Sequence, residues 1–130
     1  MATPPVQGGW SGEGGDLTLM VTEVAKTPEG TLRLNVRVVN GSARERGLPL
    51  FGNFTAGDDQ GQVYTPSDDT SYTRWPGSLP PHGSFTGVIQ TRERPQPQAR
   101  YLKVTFAKVL GDGATTPPDG LTITGISLPT

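Results

Sequence analysis

Residues 66–83, PSDDTSYTRWPGSLPPHG, hold most of the side chains in this chain that could do chemistry. Tyr72, Arg74 and Trp75 stand together in the middle of the stretch. Tyrosine, tryptophan and arginine are the residue types that dominate binding hot spots, and flat aromatics on a sheet-built domain also suit stacking against a sugar ring. The structural alternative is that Trp75 covers one end of the core while Pro76 stiffens the turn. His82 is the single histidine, and Ser84 follows two residues later. A serine nucleophile needs a base held by an acid in an organised pocket. A histidine between Pro81 and Gly83 reads instead as a solvated turn residue.

Asp58 and Asp59 form one acidic pair, and Asp68 and Asp69 form another. Calcium takes six to eight oxygen ligands, mostly carboxylates and loop carbonyls, so the two loops would have to meet to make a site. Their spacing matches no EF-hand loop. Asp and Gly recur in turns because their geometry suits them, and that is the simpler reading of both pairs. Glycoside hydrolysis needs two carboxyl groups across a cleft, which a small sandwich does not offer. No catalytic residue, metal or cofactor is therefore assigned, and the expectation is a protein that is not an enzyme.

Composition narrows the partners. The net charge of −1 gives no electrostatic case for nucleic acid or an anionic membrane. The absence of cysteine removes disulfides, thiol catalysis and thiolate metal sites. No apolar run approaches the roughly 20 residues of a membrane-spanning helix, and no signal peptide is visible. The 130 residues suit one domain.

The elements that must position these side chains are strands. Residues 31–40, TLRLNVRVVN, place Leu32, Leu34, Val36 and Val38 on one face and Arg33, Asn35 and Arg37 on the other. Such alternation predicts a strand with one buried and one wet side, and the most regular one marks the central strand. Residues 16–27 predict a strand whose apolar phase switches partway, as at a bulge or in a strand that changes sheets. Residues 27–30, TPEG, predict a turn that makes the pair an antiparallel hairpin or its cross-sandwich equivalent. Further strands are expected at 50–57, with Phe51 and Phe54 as anchors, and at 62–65, 84–91, 101–110 and 120–128. Gly125 marks a bulge or a close approach in the last. Residues 1–15 contain five glycines and two prolines and read as a flexible leader, with Trp10 either docking on the domain or exposed. The domain is then expected over residues 16–130. Seven strands without a helical period predict an all-β, immunoglobulin-like sandwich.

Several of these segments carry a family resemblance. The strand LRLNVRVVN is followed by residues 53–64, NFTAGDDQGQVY, an apolar-threonine strand, an acidic-glycine turn and a valine-tyrosine return. Residues 79–89, LPPHGSFTGVI, then lead to residues 101–106, YLKVTF. This order resembles the telokin-like, immunoglobulin-fold domains of bacterial secreted proteins and lipoproteins. The resemblance spans about residues 16–128 and rests on turns and core alternation. It implies a secreted or cell-envelope location and a binding or structural role toward a protein or envelope component. It supplies no catalytic residues, and the lipid-bearing cysteine of many members has no counterpart in this sequence. The alternative function is a carbohydrate-binding module using Tyr72 and Trp75.

Overall fold

A computed structural model describes residues 6–14, 16–48, 53–66, 78–111 and 120–129. These form ten strands: β1 (Val6–Gly14), β2 (Leu17–Lys26), β3 (Leu32–Asn40), β4 (Arg46–Gly47), β5 (Phe54–Asp58), β6 (Val63–Tyr64), β7 (Ser78–Leu79), β8 (Ser84–Gln90), β9 (Tyr101–Phe106) and β10 (Leu121–Ser127). One sheet has the order β1-β2-β3-β8 and the other β10-β9-β5-β6, while β4 and β7 pair by themselves. Every pairing is antiparallel. The protein is an all-β sandwich, as the strand periodicity predicts.

The alternation of β3 explains its place. Leu32, Leu34, Val36 and Val38 are fully buried, while Arg33 and Arg37 are exposed on the opposite face. The strand lies inside its sheet, paired along its length to β2 on one side and β8 on the other. Its inner row belongs to one core that also takes Leu19 and Val21 from β2, and Phe54, Leu102, Val104, Phe106 and Ile123 from the facing sheet. Phe54 and Phe106 meet edge to face with centroids 5.3 Å apart, the arrangement that the ring quadrupoles favour.

The irregular points follow local chemistry. The β2–β3 turn closes with the Gly30 N–H donating to the Thr27 carbonyl at 2.9 Å, and Gly30 holds φ at 87°. That conformation costs glycine little and other residues more. The phase switch in β2 is a register break between Val21 and Glu23. The expected bulge in the last strand is there too: β10 breaks register between Ile123 and Ile126, and Gly125 takes φ 71°.

Three strands were not expected from the sequence. Strands β4 and β7 have two residues each, too short to show a period. The third requires a correction. Within residues 1–15, read as a flexible leader, Val6–Gly14 is a strand of the larger sheet, paired to β2. The domain therefore begins before residue 16. Trp10 pairs opposite Val21 and packs against the core, so it docks. Gly12 lies against the backbone of Thr122 so closely that a Cβ there would overlap the Thr122 carbonyl oxygen. That glycine lets β1 close against β10 of the other sheet. Phe51, expected as an anchor, lies outside the described residues.

Replacing Val36, 1% exposed at the centre of this core, by aspartate strands an unpaired charge among aliphatic side chains. Val36→Asp is expected to abolish the cooperative thermal transition. A melt like that of the parent would contradict the core assignment.

Candidate functional site

The best-organised polar cluster surrounds the β5–β6 turn and includes the acidic pair Asp58 and Asp59. Both carboxylates are engaged in closing the structure. Asp58 Oδ1 accepts the backbone N–H groups of Gln60 at 2.8 Å and Gln62 at 3.0 Å. Its Oδ2 accepts the hydroxyl of Tyr64 at 2.7 Å. Asp59 reaches to the start of β9, where its Oδ1 accepts the N–H groups of Arg100 at 2.9 Å and Tyr101 at 3.3 Å. The Asp59 N–H in turn donates to the Tyr101 carbonyl. One carboxylate shapes the turn, and the next ties it to the neighbouring strand. Asp68 and Asp69, which a shared cation would also need, lie outside the described residues. Among the described residues no three His, Cys, Asp or Glu side chains gather as a metal-ligand set.

Electrostatics follow from these bonds. The Arg100 N–H, assisted by that of Tyr101 and opposed by desolvation, holds the Asp59 carboxyl below the usual aspartate value. The Tyr64 phenol is pushed well above its usual range. Burial is the main cause, followed by the Asp58 carboxylate it bonds and by the negative charges of Glu93 and Asp59. Tyr64 is thus held neutral as a donor to Asp58. Glu93 accepts the backbone N–H of Thr65 at 2.7 Å and its hydroxyl at 3.0 Å, closing the far side of the same return.

A second polar corner contains His82. Asn40, at the buried end of β3, donates its amide to the carbonyls of Arg44 at 2.8 Å and Pro80 at 3.0 Å, and its Oδ1 accepts the Ser42 N–H at 2.9 Å. The His82 N–H donates to the Ser42 carbonyl, and His82 is exposed with φ at 55°. Its backbone bond locks the turn beside Asn40, the role of a turn residue. Ser84 is exposed at the start of β8, opposite Val39. Tyr72, Arg74 and Trp75, the recognition cluster expected from the sequence, lie outside the described residues.

A different surface emerges on the outer face of the sheet β10-β9-β5-β6. Tyr101 and Val63 are 53% and 60% exposed, two of the three large hydrophobic residues most open to solvent among those described. Val63 sits opposite Gly57, and Gly57 opposite Lys103. Tyr101 is two positions from Lys103 and therefore on the same face. Glycine leaves a low floor between Val63 and Lys103, and Tyr101 stands at one end of it. Thr55 and Thr105, also directly opposed, continue the same face. The sequence contained a signal for this surface. Alternation in YLKVTF puts Tyr101 and Lys103 opposite the buried row, but two apolar residues on a wet face become a patch only once the pairing of β6, β5 and β9 is known.

Two solved structures are similar in fold. The yjhA protein from Bacillus subtilis aligns with a TM-score of 0.57 at 18% identity, covering 91% of this chain and 95% of that one. A functionally unknown protein from Listeria monocytogenes EGD-e aligns with a TM-score of 0.65 at 10% identity, covering 99% of this chain and 86% of that one. At these identities the likeness is one of fold. No family model matches the chain, and no curated protein matches it significantly. Among the described residues no helix is long and apolar enough to cross a membrane.

Two outcomes test the turn. Tyr64→Phe removes the charge-assisted bond to Asp58 with little change in shape and is expected to cost roughly 1.5–3 kcal/mol, read by denaturant unfolding; an unchanged midpoint would remove the bond from the account. The lowered value of Asp59 gives a pH signature. Its stabilisation is present above the usual aspartate value, roughly pH 4, and is withdrawn as pH falls through the lower folded value. Asp59→Asn is therefore expected to lower the melting temperature near neutrality and to flatten its decline in acid. Equal acid slopes for the variant and its parent would refute this.

Proposed function

We propose that the chain is a non-enzymatic binding or structural domain that works outside the cytoplasm, in contact with a protein or another component of the cell envelope. The observation that carries the reading is the outer face at Val63, Gly57, Lys103 and Tyr101. It offers an exposed aromatic ring, an aliphatic side chain and a cation on rigid strands, with a low glycine floor between them. Tyrosine is a preferred anchor at interfaces, where its ring is buried and its hydroxyl remains able to bond. The best-organised polar cluster is in keeping with this reading, because Asp58, Asp59 and Tyr64 are committed to one another and to the backbone.

The strand order supports the immunoglobulin-like assignment that accompanies this function. On this reading β2-β3-β8 would correspond to A, B and E, and β10-β9-β5-β6 to G, F, C and C′. The resemblance to telokin-like domains of bacterial secreted proteins and lipoproteins supports the extracytoplasmic location.

The test is co-sedimentation of the purified domain with isolated envelope, alongside fractionation of cells producing the native protein. A paired Val63→Ser and Tyr101→Ser variant is expected to keep its melting temperature and to bind at least about tenfold more weakly. Equal binding by the variant would displace the surface, and recovery of the native protein only in the cytosol would reject the location.

A carbohydrate ligand is the second reading. The open ring of Tyr101 on the outer sheet face favours it, and the sequence supplies Tyr72 and Trp75 as further aromatic candidates. On a glycan array, binding that is lost in Tyr101→Ala or Trp75→Ala is the expected result. Binding indifferent to both aromatics, or none at all, discards this reading.

A further inference from the structure

Strand β1 is weakly built, and it hangs on a tight connection. Four of its nine residues are glycine. Glycine loses the most backbone freedom on ordering and adds no side chain to a sheet. The register of β1 against β2 breaks between Gln7 and Trp10. There the indole of Trp10 lies across Gly8 so closely that a Cβ would overlap the ring. Gly14 pairs with Leu17, so only two residues of sequence, Gly15 and Asp16, join the strands. Asp16 holds φ at 67°, a left-handed conformation that residues other than glycine adopt at a cost. Its carboxylate is drawn to buried Arg46 at 3.2 Å, and its carbonyl accepts the Gly41 N–H at 2.9 Å.

The strand that β1 pairs with is the opposite in character. Leu17, Leu19 and Val21 of β2 are buried to 1% exposure or less, and the side of β2 away from β3 carries the ladder that receives β1. A strong acceptor edge is therefore filled by a weak strand on a short hinge.

We propose that β1 is an exchangeable strand, and that a second copy of this chain receives it, giving a dimer in which β1 of each copy pairs with β2 of the other. If the connection opens, β1 runs on from β2 as one extended segment. The ladder with β2, the seat of Trp10 and the approach of Gly12 to Thr122 are then all made with the partner. Only the hinge differs between the two states, and Asp16 leaves its left-handed conformation in the exchanged one. Short hinges under strain promote exchange of identical elements. This inference goes beyond the binding reading and does not depend on it.

The experiment exploits the lack of cysteine in the chain. Ser11 and Met20 face each other directly across β1 and β2, and paired strands bring Cα atoms within the span of a disulfide. In the Ser11→Cys, Met20→Cys protein, oxidised after folding over a range of concentrations, a strand kept at home gives a covalent monomer and an exchanged strand a covalent dimer on a non-reducing gel. The expected result is a covalent dimer whose share rises with concentration during folding. Adding Asp16→Pro, which fixes φ near −65°, is expected to raise that share about tenfold, and Asp16→Gly to lower it by a similar factor. Covalent monomer alone at every concentration overturns the proposal. So does a dimer by light scattering whose 11–20 disulfides are all intramolecular, because the copies then meet through another surface. If the proline variant fails to fold, the series with the native hinge and the glycine variant decides the question.

Discussion

The structure depends on a single requirement: two sheets must bury one face each, using few apolar residues. Hydrophobic side chains make up 32% of the chain. A core of this kind closes only if nearly every apolar residue on the inner faces is spent there. The inner row of β3 meets this by strict alternation, and β9 answers it with Leu102, Val104 and Phe106, all at 1% exposure or less. A slip of one residue in β3 would turn that row to solvent and bring Arg33 and Arg37 inward. The bulges at Val21/Glu23 and Ile123/Ile126 keep the remaining apolar residues of β2 and β10 on the inner face.

A core so thinly supplied leaves the corners of the sandwich to polar side chains, which explains where the chemically suggestive residues go. Asn53 pairs with the backbone of Lys108, accepting its N–H at 2.7 Å and donating to its carbonyl at 2.9 Å, and so extends the β5–β9 ladder past its end. The Thr91 hydroxyl accepts the Leu32 N–H at 3.0 Å and donates to the Glu93 carbonyl at 3.0 Å. Asn40 gathers carbonyls from two loops, and Asp58 and Asp59 gather backbone N–H groups. Asn53, Thr91 and Asn40 replace water at buried or half-buried backbone groups that would otherwise go unmatched, whereas the bonds of Asp59 tie the turn to β9 at the exposed surface.

Legibility in the sequence follows from how each element is stabilised. Strand β3 and both bulges were legible because burial imposes a period of two on the residues, and a bulge interrupts it visibly. The turns at residues 27–30 and 58–61 were legible because Gly30 and Gly61 take positive φ. Strand β1 was not, because its four glycines and the exposed positions between them erase any period. It is held by backbone pairing, by Trp10 and by room beside Thr122, and residue types do not announce those. The use of the Asp58 and Asp59 carboxylates was half legible. Their residue types pointed to a turn, but the partners of Asp59, Arg100 and Tyr101, lie more than forty positions away. The Val63–Tyr101 face was hidden for the same reason, since pairing across β6, β5 and β9 alone brings its residues together.

The two surfaces that carry the functional argument lie at different places in the sandwich, and this makes them compatible. Strand β1 borders β2 and closes against β10, whereas Val63 belongs to β6, at the opposite edge of the sheet that β10 begins. Exchange of β1 between two copies changes the chain connectivity at the β2–β10 side and leaves the face at Val63, Gly57 and Lys103 uncovered by β1. A strand-exchanged pair would hold two copies of that face in one assembly. A repetitive surface such as an envelope polymer could then engage both, and the second contact would form at an effective concentration fixed by the dimer geometry. A modest single-site affinity from one tyrosine, one valine and one lysine would become firm attachment in this way, with no new contact needed on either face.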